Sequence, residues 1–313
     1  MVKRQRWLSV ISKLVLVSLA LSAYGYIISR LVNFQLWDSI YKSVNGSLFT
    51  LTVAGALLVL WLTNIFTETK KWQALLLPYF KLSFATALKQ VLAGTVTAVG
   101  SPARIAEMGG RMALLAPAFR INAALMTGIG GLMQNLIICL GGLAVILLPQ
   151  SPLNKLIRAY DGRGFYYLLI GIAAFISIIG FGYSLWGKKI KQYLLTLKKI
   201  NSRVILSGLF WTLLRYLTYN FQLYLWMLLF GISPDVEIFI IYSPIYFLLI
   251  TIIPSYLLID LGIRGSVALL LFSVINQNEP LILAAIFAQW LSNVVLPTLF
   301  GSYILFRYKV IKQ

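Results

Sequence analysis

Long apolar stretches separated by short polar connections dominate the chain, and this pattern predicts a bundle of membrane-spanning helices. Segments such as 136–148 and 239–253 are apolar on every face, whereas barrel strands would alternate apolar and polar positions over about ten residues. Only helices and closed barrels satisfy backbone polar groups in hydrocarbon, so we expect helices. About eight stretches approach the ~20 residues that cross a bilayer. They cover residues 8–30, 47–66, 79–100, 119–148, 164–186, 204–231, 238–258 and 281–306.

Two shorter apolar stretches, 103–118 and 260–275, each lie close to a preceding proline, Pro102 or Pro254. Each is short for a complete crossing and is typical of one limb of a re-entrant or broken-helix hairpin. The predicted fold class is therefore an all-α polytopic membrane protein, with about eight transmembrane helices and two such hairpins. All of these elements belong to a single transmembrane domain over 1–313.

The charges in the connections orient the predicted spans. Cytoplasmic loops carry an excess of Lys and Arg, so we place the basic cluster from Lys188 to Arg203 in the cytoplasm. The basic N-terminus, Lys3 to Arg6, precedes an apolar run without a convincing cleavage site, and we interpret that run as a retained first span. The prediction is a multi-pass protein of the cell inner (cytoplasmic) membrane, with both termini in the cytoplasm.

The same count of crossings predicts an internal duplication. The first half, 1–158, makes an odd number of crossings, so the second half, 159–313, repeats the same order upside down. In transporters built from inverted repeats, the substrate site lies between the repeats near the membrane midplane, and interrupted helices point at it.

Composition narrows the class of protein further. Hydrophobic residues make up 60% of the chain and the net charge is +19. Such a charge would suggest a nucleic-acid partner in a soluble protein, but here the basic residues lie beside apolar segments, where they orient helices and attract anionic lipid. We therefore predict no nucleic-acid partner. The chain has no histidine and only Cys139 as a possible thiol ligand, so we predict no metal, no cofactor and no imidazole-based catalysis.

One polar pattern occurs twice, with an acid, any residue, Gly, any residue and Arg in order. The copies run from Glu107 to Arg111 and from Asp260 to Arg264. The other six acidic residues, Glu68 among them, are placed in polar connections between apolar runs. An acid and an arginine four residues apart on a helix can neutralise each other. The hairpins themselves are assigned to Pro102, Gly109, Pro254 and Gly262.

Two interpretations of these intramembrane charges remain open. As internal ion pairs, they make insertion of the hairpins tolerable. As a binding site, the arginines offer planar, bidentate donors suited to phosphate, and the carboxylates would position them or take up a proton. The glycines would let helix backbones approach closely. The predicted substrate-binding residues are Arg104, Glu107, Arg111, Arg215, Asp260 and Arg264, and no catalytic residue is assigned.

Other polar and aromatic residues have simpler interpretations. The amides of Gln134 and Gln289 lie at corresponding places in the two halves, and interhelical hydrogen bonds would account for them. Tryptophans near the predicted span ends, including Trp61 and Trp72, are interpreted as interfacial anchors.

These motifs resemble a known family. The resemblance is carried by Gly100 to Arg111, by Ile253 to Arg264, and by Pro297 to Gly301. The chain is similar to the flippase-like family, also called the lysylphosphatidylglycerol synthase transmembrane region. This resemblance implies a lipid-handling membrane domain, which in some members is a flippase for aminoacylated phosphatidylglycerol.

The resulting functional prediction is a flippase-like transporter, which moves a phospholipid or lipid-linked anionic substrate between leaflets through a cavity between two inverted repeats. Its expected partners are membrane lipids that are anionic or bear phosphate. We expect a transporter rather than an enzyme, because few residues follow Phe306 and leave no room for the soluble aminoacyl-transferase domain of two-domain members. The alternatives are an integral-membrane lipid or glycolipid transferase, or a non-catalytic membrane partner of a lipid or glycan synthesis complex.

Overall fold

The computed structural model describes residues 48–99, 101, 106–148, 200–252 and 257–311. All regular secondary structure within these ranges is helical. Several predictions fall outside them: the spans 8–30 and 164–186, most of the basic cluster that precedes Arg203, and the site and hairpin residues Pro102, Arg104 and Pro254.

The helices follow the predicted apolar stretches, with one clear difference at the stretch predicted over 47–66. Their bounds are α1 Leu48–Leu76, α2 Phe84–Val99, α3 Glu107–Ala113, α4 Arg120–Ile146, α5 Ser202–Leu229, α6 Val236–Ile252, α7 Leu257–Phe272, α8 Glu279–Trp290 and α9 Leu296–Ile311. Helix α1 continues ten residues beyond the predicted end at 66. The polar segment 67–71 suggested an end, but it continues the helix, and four of its five residues are buried: Thr67, Glu68, Thr69 and Lys71.

Among the residues that the structure describes, three helical segments are long and apolar enough to cross a membrane: Leu48–Leu76, Pro117–Ile146 and Glu279–Arg307. Their outward faces are apolar. On α4, for example, Leu132, Leu136 and Leu140 are each about half exposed or more. An apolar exterior around a polar interior is the arrangement expected when lipid, rather than water, surrounds the helices.

Helices α1 and α5 form the central pair, and they run antiparallel. Leu57, early in α1, packs with Leu225, late in α5. At the opposite end, the Leu75 side chain of α1 lies against Gly208, early in α5. Between these contacts, Glu68 meets Arg215.

Two further helix pairs flank this centre, and glycine permits a close approach in each. Helix α9 packs on α2 at Gly301, where a Cβ atom would lie 2.0 Å from the Leu92 carbonyl oxygen. Helix α4 packs on α6 at Gly142, where a Cβ atom would lie 2.7 Å from the Leu248 Cβ. The short helix α3 packs on α2, and helix α7 packs on both α6 and α8.

Local sequence signals explain how the chain turns between α5 and α6. Gly231 adopts a φ of 77°, a left-handed conformation that glycine accepts without a steric penalty. The Ile232 amide donates to the Met227 carbonyl and the Gly231 amide donates to the Leu228 carbonyl, which together form a Schellman motif. The Asp235 carboxylate then accepts the Glu237 amide at 2.8 Å and caps the start of α6.

A five-residue π-helical segment, Leu291–Val295, joins α8 to α9. At its end, the amide of Leu296, the first residue of α9, donates to the Leu291 carbonyl, five residues earlier. Pro297 follows at once and cannot donate to the carbonyl four residues before it. The wider turn accommodates this missing donor, and Asn293 is buried within the segment.

Candidate functional site

Glu68 of α1 lies at the centre of a buried charged cluster. Its Oε1 accepts a hydrogen bond from Arg111 Nη2 at 2.7 Å. Its Oε2 pairs with Arg215 Nη1 at 2.5 Å and with Lys71 Nζ at 2.6 Å. The side chain of Glu68 is only 7% exposed. One carboxylate therefore holds three cations from three helices.

Arg111 reaches Glu68 from the short helix α3. It also pairs with Glu107 of its own motif, and its guanidinium lies 4.7 Å from the centroid of the Trp72 ring, a cation–π contact. Gly94 of α2 leaves the necessary space, because a Cβ atom there would lie 2.8 Å from Arg111 Cγ.

Arg215 brings α5 into the same cluster. Its Nε donates to Asn64 Oδ1 at 2.8 Å, and its Nη1 donates to Gln134 Oε1 at 3.0 Å. The amide network continues into the π-helical segment, since Asn64 Nδ2 donates to Asn293 Oδ1 at 2.6 Å. Asn293 Nδ2 in turn donates to Gln222 Oε1 at 3.1 Å. Side chains from α1, α3, α4, α5 and the π segment thus share one network.

The cluster is unbalanced in charge within the part of the chain that the structure describes. Its cations are Lys71, Arg111 and Arg215, whereas its carboxylates are Glu68 and Glu107. Charges are expensive to bury and stay buried only when they are paired and hydrogen-bonded. Removal of one carboxylate would leave the remaining cations under-compensated.

A small cavity adjoins the cluster and has walls from both sequence halves. The residues that line it include Glu68, Thr95 and Glu107 from the first half, and Arg215 and Asn293 from the second. Its volume is about 30 Å³, enough for about one water molecule.

The second copy of the motif forms its own ion pair. Arg264 Nε donates to Asp260 Oδ2 at 2.8 Å, and the same oxygen accepts a hydrogen bond from Trp290 Nε1 of α8 at 3.1 Å. Neither Asp260 nor Arg264 is among the residues that line the cavity.

The structure therefore joins some of the predicted site residues and leaves others apart. It brings Glu107, Arg111 and Arg215 together around Glu68, and it confirms the ion pair within each motif. Asp260 and Arg264 lie at a separate place, on α7.

The close approach expected at the motif glycines lies at a neighbouring residue. A side chain at Gly109 or Gly262 would meet no described atom within 4 Å, so the prediction is wrong for these two positions among the described contacts. At Gly110, by contrast, a Cβ atom would lie 2.2 Å from the Ala93 carbonyl oxygen. The backbones therefore approach one residue further along α3, about 100° around the helix from Gly109.

Two interpretations from the sequence need correction. Glu68 is not in a polar connection, because it lies inside α1 and is buried. Trp72 is not an interfacial anchor, because it is fully buried and its Nε1 donates to Gln90 Oε1 at 2.7 Å. The available signal was the spacing of Glu68, Lys71 and Trp72, which places all three near one face of a continued helix.

Comparison with protein-family models, with curated proteins and with solved structures finds no match.

Proposed function

We propose that this protein moves a phospholipid or a lipid-linked anionic substrate between membrane leaflets. The observation that carries the proposal is the charged cluster around Glu68, buried where α1 and α5 cross and adjoined by a cavity with walls from both halves. Ionisable residues within membrane helices are expensive and mark the path of a polar substrate.

The proposal includes an inverted duplication of about eight spans. In this duplication α1, α2 and α3 correspond to α5, α6 and α7, and α4 corresponds to α8 and α9 together. The antiparallel packing of α1 on α5 supports it, because a two-fold axis in the membrane plane relates equivalent helices in that way. The packing of α2 on α9 supports it as well, since the equivalent contact joins α6 to α4.

Spacing along the chain supports the same equivalence. Glu68 precedes Glu107 by 39 positions, and Trp72 precedes Arg111 by the same number. In the second half, Gln222 precedes Asp260 by 38 positions and Trp226 precedes Arg264 by 38.

Membership of the flippase-like family, and a location in the cell inner membrane with both termini in the cytoplasm, belong to this proposal. The motif around Arg111 and the motif around Arg264 support the first. The distribution of basic loops supports the second.

Electrostatics explains what such a site would contribute. An anionic headgroup faces a large desolvation cost in hydrocarbon, and fixed guanidinium groups in a polar cavity replace part of its hydration. The small cavity corresponds to a closed state, so translocation requires the two halves to separate.

Leaflet exchange in proteoliposomes tests this function. Fluorescent phosphatidylglycerol would be followed by quenching of the outer leaflet in vesicles that contain the wild type, Arg111→Ala or Arg215→Gln. Exposed Arg203 at the start of α5 supplies the matched control, Arg203→Gln. We expect about tenfold slower exchange for the two site variants and an unchanged rate for the control. Equal rates in all four proteins, above empty vesicles, would exclude these arginines from the path.

A further inference from the structure

Three cationic side chains converge on a single carboxylate at the boundary between the halves. The nitrogen atoms of Lys71, Arg111 and Arg215 lie within 2.5 to 2.7 Å of the two Glu68 oxygens. Two of these cations are guanidinium groups, whose planar donors match the oxygens of a phosphate. Glu68 thus holds the position in which an oxyanion would meet all three.

From this geometry we propose that Lys71, Arg111 and Arg215 form a phosphate-binding site, in which Glu68 is a built-in competitor that the phosphate displaces. The inference rests on the proposed lipid transport and adds the binding site to it. The ligand chemistry is a phosphate ester or inorganic phosphate, and its source is distinguished by the experiment below.

The adjoining cavity provides the approach to this site. Glu68 and Arg215 both contribute to its wall, so a phosphate that enters it meets the competitor and one of the cations together. The remaining lining combines polar residues, apolar residues and a second carboxylate: Asn64, Thr95 and Asn293; Ile65, Val91, Leu92 and Pro297; and Glu107. The amides and the hydroxyl suit an anion that keeps part of its hydration, and Glu107 stays paired with Arg111. The small volume requires the Glu68 side chain to leave as the phosphate enters.

Displacement of Glu68 would also loosen the contact between the halves. Glu68 belongs to α1 and Arg215 to α5, so their ion pair crosses the central helix pair. A phosphate bound by the arginines would release the α1 carboxylate from α5. Ligand binding and separation of the halves are thereby coupled through one side chain.

Competition predicts opposite effects for the two members of this ion pair. Glu68→Gln keeps the shape of the side chain and removes the competing charge, so the phosphate affinity should rise about tenfold. Arg215→Gln removes a donor, so the affinity should fall about tenfold. Arg203→Gln, on the same helix and exposed, should bind as the wild type does.

Isothermal titration calorimetry on the full-length protein in detergent measures these affinities. The probes are inorganic phosphate, a short-chain phosphatidylglycerol, and a diacylglycerol of the same chain length as the uncharged control. Tighter binding of phosphatidylglycerol by Glu68→Gln, without binding of diacylglycerol, supports a lipid phosphate. The same gain with inorganic phosphate alone supports the site and assigns it to the free ion.

Unchanged affinities in both Glu68→Gln and Arg215→Gln, or no binding of either phosphate probe by any variant, would overturn the site. If Glu68→Gln does not fold, Lys71→Met replaces it: about tenfold weaker binding supports the site, and unchanged binding rejects it. Leaflet exchange separates this result from the broader function. If exchange depends on the arginines but Glu68→Gln does not change the phosphate affinity, only the competition by Glu68 is rejected. If the protein binds phosphate but lipid exchange does not occur, the proposed transport is rejected.

Discussion

At the scale of single residues, Glu68 determines whether the buried cations are compensated. Breaking a buried ion pair by removing one partner costs about 3–5 kcal/mol, because the other charge stays buried. We therefore expect Glu68→Gln to lower the free energy of unfolding by about 3 kcal/mol. The measurement is unfolding of the detergent-solubilised protein by titration with a denaturing detergent.

A double-mutant cycle assigns that loss to the Glu68–Arg215 ion pair. If the pair is the cause, Glu68→Gln combined with Arg215→Gln should cost clearly less than the sum of the two single changes. Glu237, exposed at the start of α6, supplies the control Glu237→Gln, which should change stability by no more than about 0.5 kcal/mol. Strict additivity would show that Glu68 and Arg215 are not energetically coupled.

The sequence predicts three members of this cluster, Glu107, Arg111 and Arg215, because each is a charge inside or beside an apolar stretch. It does not predict Glu68 or Lys71. They follow an apolar run in a short polar segment, and hydropathy alone cannot distinguish a connection from a helix whose polar face is buried. Pairing with Arg111, 43 residues away, and with Arg215, 147 residues away, makes the second arrangement stable, and these contacts depend on the tertiary structure.

At the scale of helices, adjacent glycines on α3 have different roles. A Cβ atom at Gly110 would overlap the Ala93 carbonyl oxygen of α2, whereas one at Gly109 would meet no described atom within 4 Å. Overpacking a close contact costs about 1–3 kcal/mol. Gly110→Ala should therefore lower the midpoint of thermal unfolding, and Gly109→Ala should leave it nearly unchanged. A comparable loss in both variants would contradict the described packing of α3 on α2.

Helix positions are predictable from apolar runs, but helix ends and interruptions are less so. The stretch predicted over 281–306 is helical, yet it contains the π segment Leu291–Val295. Pro297 is visible in the sequence, but it does not reveal whether the preceding turn widens or kinks. The hydrogen bond between Asn293 and Asn64 of α1 accompanies the wider turn and joins helices that lie far apart in the sequence.

At the scale of the whole molecule, the antiparallel contact of α1 with α5 can be tested by crosslinking. In a Cys139→Ser background, cysteines at Leu75 and Gly208 should be joined by a short bifunctional thiol reagent, because a Cβ atom at residue 208 would lie 3.3 Å from Leu75 Cδ2. Cysteines at Leu57 and Gly208 lie at opposite ends of the pair and should not be joined. Crosslinking of the second pair alone would require parallel packing.

The sequence predicts an inverted duplication from the repeated motif and from the number of crossings, but it cannot identify which helices meet at the centre. That result depends on which polar faces pair. Asn64 and Glu68 on α1 find Arg215 on α5, and this pairing places the charged cluster between the halves. The predicted Asp260 and Arg264 remain on α7, where Trp290 supplies a hydrogen bond within the same half.

Glu68 in one proposed copy and uncharged Gln222 in the other make the duplication unequal. Two identical copies related by rotation would favour neither face of the membrane, so states open to opposite sides would have the same energy. In the proposed duplication, a negative charge in only one copy would remove that degeneracy and would give the protein a resting orientation. Exchange of the two residues, Glu68→Gln with Gln222→Glu, would transfer the preference to the other side.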